Sequence, residues 1–143
     1  MAVTKCLARG FIFEINTVST TFVRIKGINQ WGHSPADNDA DTTDFDDAGA
    51  MSHLKASHGD EFTLTGFYLE DPDDGSRDPG QEAVEALSVE VGPDSLKGFR
   101  ITSPGGVVKT FTASAKTTVG GGGTDDPASW ECTLKVSGLV VVA

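Results

Sequence analysis

Acidic side chains are concentrated in one stretch of the sequence, where their spacing resembles that of a cation site. Six aspartates fall within eleven residues: Asp37, Asp39, Asp41, Asp44, Asp46 and Asp47. The first three alternate as in the first half of an EF-hand calcium loop, but Thr42 and Ala48 stand where that loop has glycine and glutamate. We expect a solvated loop that orders against a partner. A calcium-binding β module that uses residues 37–47 is the alternative.

Motifs typical of metal-dependent, nucleophilic or phosphate-binding catalysis are absent from the sequence. His33, His53 and His58 lie in the same segment, but no HExxH motif or other short ligand spacing connects them. No Gly-x-Ser-x-Gly motif exposes a serine nucleophile, and the glycine tract 120–123 lacks the Gly-Lys-Ser/Thr ending of a phosphate loop. The sequence therefore predicts no enzyme, no bound metal and no cofactor.

Length and charge exclude several further classes of protein. The 143 residues fit one domain, residues 1–143, with 38% hydrophobic and 22% charged residues. A net charge of −10 argues against a surface that binds nucleic acid. It is compatible with a surface that DNA passes without binding, because like charges repel. No apolar run is long enough to span a membrane, and the start lacks the apolar core of a signal peptide. We therefore expect cytosolic synthesis and, for Cys6 and Cys132, free thiols.

Alternating apolar residues predict that most of the chain forms β-strands with one buried face. The runs with this pattern are residues 11–15, 20–26, 62–69, 99–102, 107–112 and 130–136. One helix is expected to begin at Asp78 and Pro79 and to stop at Gly92, with Val91 on its apolar stripe. A tight hairpin is expected at residues 103–106, and a longer loop at 119–127.

Residues 29–60 break the pattern, because more than 30 residues carry almost no apolar periodicity. A segment of this length without structure is uncommon inside a compact domain and is usually functional or disordered. We expect a long mobile loop or an extended hairpin. Trp31, an aromatic residue in this polar surrounding, is expected either to fold back on the core or to anchor an interface.

The order and spacing of these pieces resemble those of phage tail tube proteins, the relatives of siphophage major tail proteins and of contractile inner tubes. The resemblance covers about residues 20–138. Residues 97–113 carry it most, with a Phe-x-Ile strand, a Pro-Gly hairpin and a Phe-x-Ala strand. The other matching pieces are the strand 22–27, the Asp-Thr-Thr-Asp-Phe stretch at 41–45, the acidic turn 70–74 before the helix, and the closing strand 132–138.

This resemblance implies a β-sandwich with one short flanking α-helix, whose subunits assemble into rings, usually of six, that stack into a tube. The segment 29–60 would be the loop that contacts the neighbouring subunit or ring. The residues assigned to that contact are Trp31, Asp37, Asp39, Asp41, Asp44, Phe45, Asp46, Asp47, Met51 and Leu54.

The resemblance also implies the partners and the location of the protein. Other copies of the chain, the tape-measure, tail-tip and tail-terminator proteins would be its partners, and genomic DNA would pass through without specific binding. The protein would be assembled in the host cytoplasm, would reside in the virion tail and would have no membrane partner. A tail terminator or a capsid decoration protein is the alternative within this class.

Overall fold

The computed structural model describes residues 3–18 and 20–142, with the side chain of Asp47 left out. This part of the chain contains nine strands and one α-helix, α1 (Pro79–Ser88). The strands are β1 (Ile12–Val18), β2 (Thr21–Arg24), β3 (Ile28–Pro35), β4 (Asn38–Asp41), β5 (His53–Ser57), β6 (Asp60–Phe67), β7 (Lys97–Thr102), β8 (Val108–Val119) and β9 (Ser129–Val142). Short 3₁₀ turns lie at Ala8–Gly10, Phe45–Asp47 and Gly92–Ser95.

Seven of the described strands form one antiparallel sheet, in the order β2-β1-β7-β8-β9-β6-β3. The sheet curls until its two ends face each other. The ring of Trp31 on β3 lies 5.4 Å from that of Phe13 on β1 and 4.8 Å from that of Phe11, although four strands separate β1 from β3 in the sheet. The two layers expected of a sandwich are thus two halves of one continuous sheet.

The core lies between these halves and follows the alternation of the sequence. Along β9, Trp130, Cys132 and Leu134 are buried, while the residues between them face outward. Phe111 on β8 stacks on Phe62 of β6, with ring centroids 4.6 Å apart. The mainly β class with a single helix is confirmed. Within the described residues no helix is long and apolar enough to cross a membrane, and both cysteines carry free thiols.

The helix begins where the sequence predicted, because Asp78 caps it. The carboxylate of Asp78 accepts hydrogen bonds from the backbone N–H of Gln81 and of Lys26, so the same cap fixes the link between β2 and β3. The helix ends at Ser88, earlier than its expected stop at Gly92. Val91 was expected on the buried stripe and is instead exposed, beyond the last helical turn.

Gln81 connects this helix to the sheet through three backbone groups. It is fully buried, its Nε2 donates to the carbonyls of Lys26 and Phe67, and its Oε1 accepts from the backbone N–H of Leu69. These bonds hold the end of β2 against the end of β6. Gln81 therefore positions the base of the hairpin that β3 and β6 form.

Replacing Gln81 by leucine should destabilise the protein by about 2–3 kcal/mol or more, because buried backbone groups would lose their partners. Urea unfolding followed by circular dichroism measures this loss. The neighbouring exposed change Glu82→Gln should stay within ~0.5 kcal/mol of the unmodified protein. Equal stability of Gln81→Leu and the unmodified chain would refute the assigned role.

The segment 29–60 contains strands despite its lack of apolar periodicity. β3 and β6 pair antiparallel from Ile28 opposite Gly66 to Pro35 opposite Asp60. Beyond them β4 pairs with β5 in a separate two-stranded ladder. We call β4, β5 and the connecting residues 42–52 the distal hairpin. The segment is thus a two-part hairpin, and its outer part leaves the main sheet.

Candidate assembly surfaces

The distal hairpin has no core of its own. Every described side chain of β4 and β5 is exposed, and among the described residues no other element covers either face of the ladder. Its register, from Asn38 near Ser57 to Asp41 opposite His53, is held by backbone pairing alone on most of its length. A two-stranded hairpin of this kind is only marginally stable without further contacts. Contacts with another molecule would therefore stabilise it.

The connecting residues 42–52 are ordered by local hydrogen bonds. The backbone N–H of Thr42 donates to the carbonyl of Ser52, and the Thr43 hydroxyl bonds both the N–H and the carbonyl of Ser52. The carboxylate of Asp41 accepts from the N–H of Thr43 at 2.9 Å, which lowers the pKa of Asp41. Some of the aspartates here therefore act as turn-forming residues.

Exposed apolar side chains lie in or next to the connecting residues 42–52. Phe45 is fully exposed on its 3₁₀ turn, and Met51 and Leu54 are exposed to 88% and 66%. Large apolar side chains in one place and surrounded by charge are typical of an interaction site. We call Phe45, Met51 and the aspartates beside them, Asp44 and Asp46, the tip.

A polar network joins the distal hairpin to the main sheet. Asp37 accepts hydrogen bonds from Lys55 Nζ at 2.8 Å, from the backbone N–H of Gly59 at 3.0 Å and from His58 Nδ1 at 2.7 Å when that nitrogen carries a proton. His33 Nε2 lies 2.7 Å from Asp60 Oδ1, and its ring stacks on a core phenylalanine. The network fixes the direction in which the distal hairpin leaves the sheet.

The ammonium group of Lys55, the N–H of Gly59 and the ring of His58 hold the pKa of Asp37 at about 2, below its ordinary 3.8. Ionised Asp37 thus stabilises the junction fully above pH 3.8, and this contribution is lost as the pH falls toward 2. Carbon-13 NMR of the Asp37 carboxyl should show a midpoint near 2.

In Lys55→Met this midpoint should rise toward 3.8, because the largest cause of the shift is removed. Lys116→Met, on β8, removes the same charge away from Asp37 and should leave the midpoint unchanged. A midpoint of 3.8 in the unmodified protein would contradict the junction geometry.

The structure separates the residues that the sequence assigned to one contact. Nine of the ten belong to the distal hairpin or its junction, with the side chain of Asp47 outside the described residues. Trp31 lies apart from them, half-buried against Phe11 and Phe13 at the base of the hairpin. In the described residues no three His, Cys, Asp or Glu side chains are grouped as metal ligands.

Sequence reasoning missed a pocket of about 320 Å³ beside Trp31, at the base of the hairpin that β3 and β6 form. Its lining includes the large apolar side chains of Phe11, Phe13, Ile25, Ile28 and Trp31 and three basic residues, Arg9, Arg24 and Lys26. We call this the basic pocket. The spacing of Arg24 and Lys26 in an extended chain was a partial signal, since such residues share a face. Arg9 gave none, because folding alone brings it there.

A second surface missed from the sequence is the outer part of β9. The pairing of β9 with β6 stops at Lys135 opposite Glu61, whereas β8 still pairs with residues 136, 137, 141 and 142 across an irregularity at 138–140. Among the described strands, the outer part of β9 therefore has a neighbour on one side only. The exposed apolar side chains of this part are Leu139, Val141 and Val142. An unpaired strand edge of this kind is a template for pairing with another chain.

Comparison with known proteins connects this fold with particles that have tails. No protein-family model and no curated protein matches the sequence. Among solved structures, a chain from the C6-symmetric tail of an empty gene transfer agent particle superposes with a TM-score of 0.72, at 14% identity over 97% of this chain and 99% of that chain. A chain from the virion of a native gene transfer agent gives 0.68 at 14% identity, over 97% and 99%.

A third structure extends the likeness to another kind of particle. A chain of the six-fold symmetrised anti-feeding prophage baseplate gives a TM-score of 0.60 at 10% identity, over 99% of this chain and 97% of that chain. At identities this low the likeness shows a common fold. The fold is thus one found in tail and baseplate chains of six-fold symmetric particles, over nearly the whole length of each chain.

Proposed function

We propose that this protein is a structural component of a phage-like tail. Its copies form rings of six subunits, and these rings stack into a tube through which DNA passes. The observation that carries the proposal is the distal hairpin, which extends from the sheet with every described strand side chain exposed. The shared fold with chains of six-fold symmetric tails and baseplates supports the ring.

The unpaired strand edges support contacts within the ring. β2 ends one side of the sheet, and residues 136–142 of β9 have no β6 partner and carry exposed apolar side chains. In a ring, each such edge would pair with or be covered by the neighbouring subunit. Closure would then remove edges that otherwise favour aggregation.

The net charge supports a conduit for DNA. Six copies at −10 each give −60 per ring. If part of this charge faces the lumen, it repels the phosphates of passing DNA and prevents it from binding to the wall. The protein then acts as a passive wall, and no catalytic group is required of it.

Native mass spectrometry tests the ring directly. We expect complexes whose copy number is six or a multiple of six, with multiples becoming dominant as the concentration rises. Rings of six that never associate further would favour a tail terminator over a tube subunit. A monomer that binds calcium in calorimetry, with no assembly at any concentration, would favour the calcium-binding module instead.

A further inference from the structure

We propose that the tip of one copy docks in the basic pocket of a second copy, in the adjacent ring of the stack. This inference rests on the proposed function, since it names the surface that receives the distal hairpin. The occupant is a second copy of this chain. Three properties of the described residues support the match: charge, position and apolar surface.

Charge is the first property. Arg9, Arg24 and Lys26 are exposed and make no ion pair with another described residue, and no acidic residue is among those that line the pocket. Three unpaired basic residues together are notable in a chain with only 11 basic and 21 acidic residues. The tip carries the opposite charge, on Asp44 and Asp46. Opposite charges of this kind favour association and fix its orientation.

Position is the second property. The basic pocket includes Ile28, which pairs with Gly66 at one end of the β3–β6 ladder, and the distal hairpin leaves the other end, where Pro35 pairs with Asp60. Strands advance about 3.3 Å per residue, so the ladder alone places Ile28 roughly 20 Å, and Trp31 roughly 13 Å, from the start of the distal hairpin. A contact between different surfaces of identical molecules is heterologous, and it repeats as an open stack when its rotation does not close into a ring. The contact proposed here, between adjacent rings, is of this open kind.

Apolar surface is the third property. Phe45 and Met51 stand in solvent at the tip, and Phe11, Ile28 and Trp31 are only partly buried in the pocket wall. The volume of about 320 Å³ is at the small end of pockets that enclose a ligand, ~300–1,000 Å³, and suits one or two side chains. Docking would remove apolar surface of both partners from water.

Photo-crosslinking from the tip tests this docking on the full chain. Phe45 is replaced by the photoreactive p-benzoyl-phenylalanine, assembly is checked by electron microscopy, and the crosslinked peptides are identified after irradiation. We expect crosslinks between copies to residues 8–13 and 24–31. Tubes whose crosslinks fall elsewhere would overturn the docking and leave the proposed function intact. No assembly and no crosslinks, with the unmodified protein also unassembled, would overturn both.

Charge reversal in the pocket provides a second test that does not depend on the photoreactive group. Arg9→Glu combined with Lys26→Glu should raise the concentration needed for stacking at least about tenfold, while rings still form, because neither residue is on the edge strand β2. Lys116→Glu combined with Lys135→Glu makes the same change in charge on β8 and β9, outside the pocket, and should leave stacking unchanged. Stacking unaffected by the pocket variant would overturn the proposal.

Discussion

Replacing residues 42–52 by Asn-Gly should give a protein that folds and forms rings but no tubes. Asp41 pairs with His53, so a two-residue turn can join β4 to β5 directly, and Asn-Gly is the preferred sequence for such a turn. The described side chains among the removed residues are exposed apart from half-buried Ser52, so none of them belongs to the core. The contact between rings would lose its apolar and acidic side chains together.

Thermal unfolding and electron microscopy measure the two halves of this prediction. The midpoint of unfolding should match that of the unmodified protein, because the junction at Asp37 and the main sheet are kept. The micrographs should show rings or short stacks in place of tubes. Tubes of ordinary length formed by the shortened chain would show that another surface connects the rings.

Phe62→Ala should destabilise the protein by about 3–5 kcal/mol, a large part of the ~5–15 kcal/mol available to a domain. Phe62 is buried on β6, stacks on Phe111 at 4.6 Å and supports the ring of His33 at 4.3 Å. Its loss opens a cavity where the hairpin meets the core. Guanidinium unfolding followed by tryptophan fluorescence measures the change, since the protein has two tryptophans.

Phe45→Ala is the matched control for this prediction. It makes the same substitution in the same hairpin, but at a side chain that is fully exposed. Its free energy of unfolding should stay within ~0.5 kcal/mol of the unmodified value, while its tendency to stack should fall. Similar destabilisation by both variants would contradict the assignment of one phenylalanine to the core and the other to an interface.

The sequence predicted the strands that have one buried face. On β9 the alternation of Trp130, Cys132 and Leu134 with polar residues is visible before folding, because only one side of the strand meets the core. The end of α1 was placed too late, because Val91 fits a helical stripe although it is exposed beyond Ser88. Periodicity indicates amphipathicity and does not locate the last turn.

The distal hairpin could not be predicted by the same argument. β4 and β5 expose both faces, so their sequences carry no alternation between apolar and polar residues. The basic pocket was missed for a different reason. It joins Arg9, Lys26 and Trp31, which come together only when the sheet curls and its ends meet. Local patterns do not contain that curvature.

The most direct test of the central claim is negative-stain electron microscopy of the purified protein at low and high concentration. We predict rings at low concentration and hollow tubes of stacked rings at high concentration. Rings that never stack, even at the highest concentration, would contradict the tube and assign the protein to the end of a tail instead.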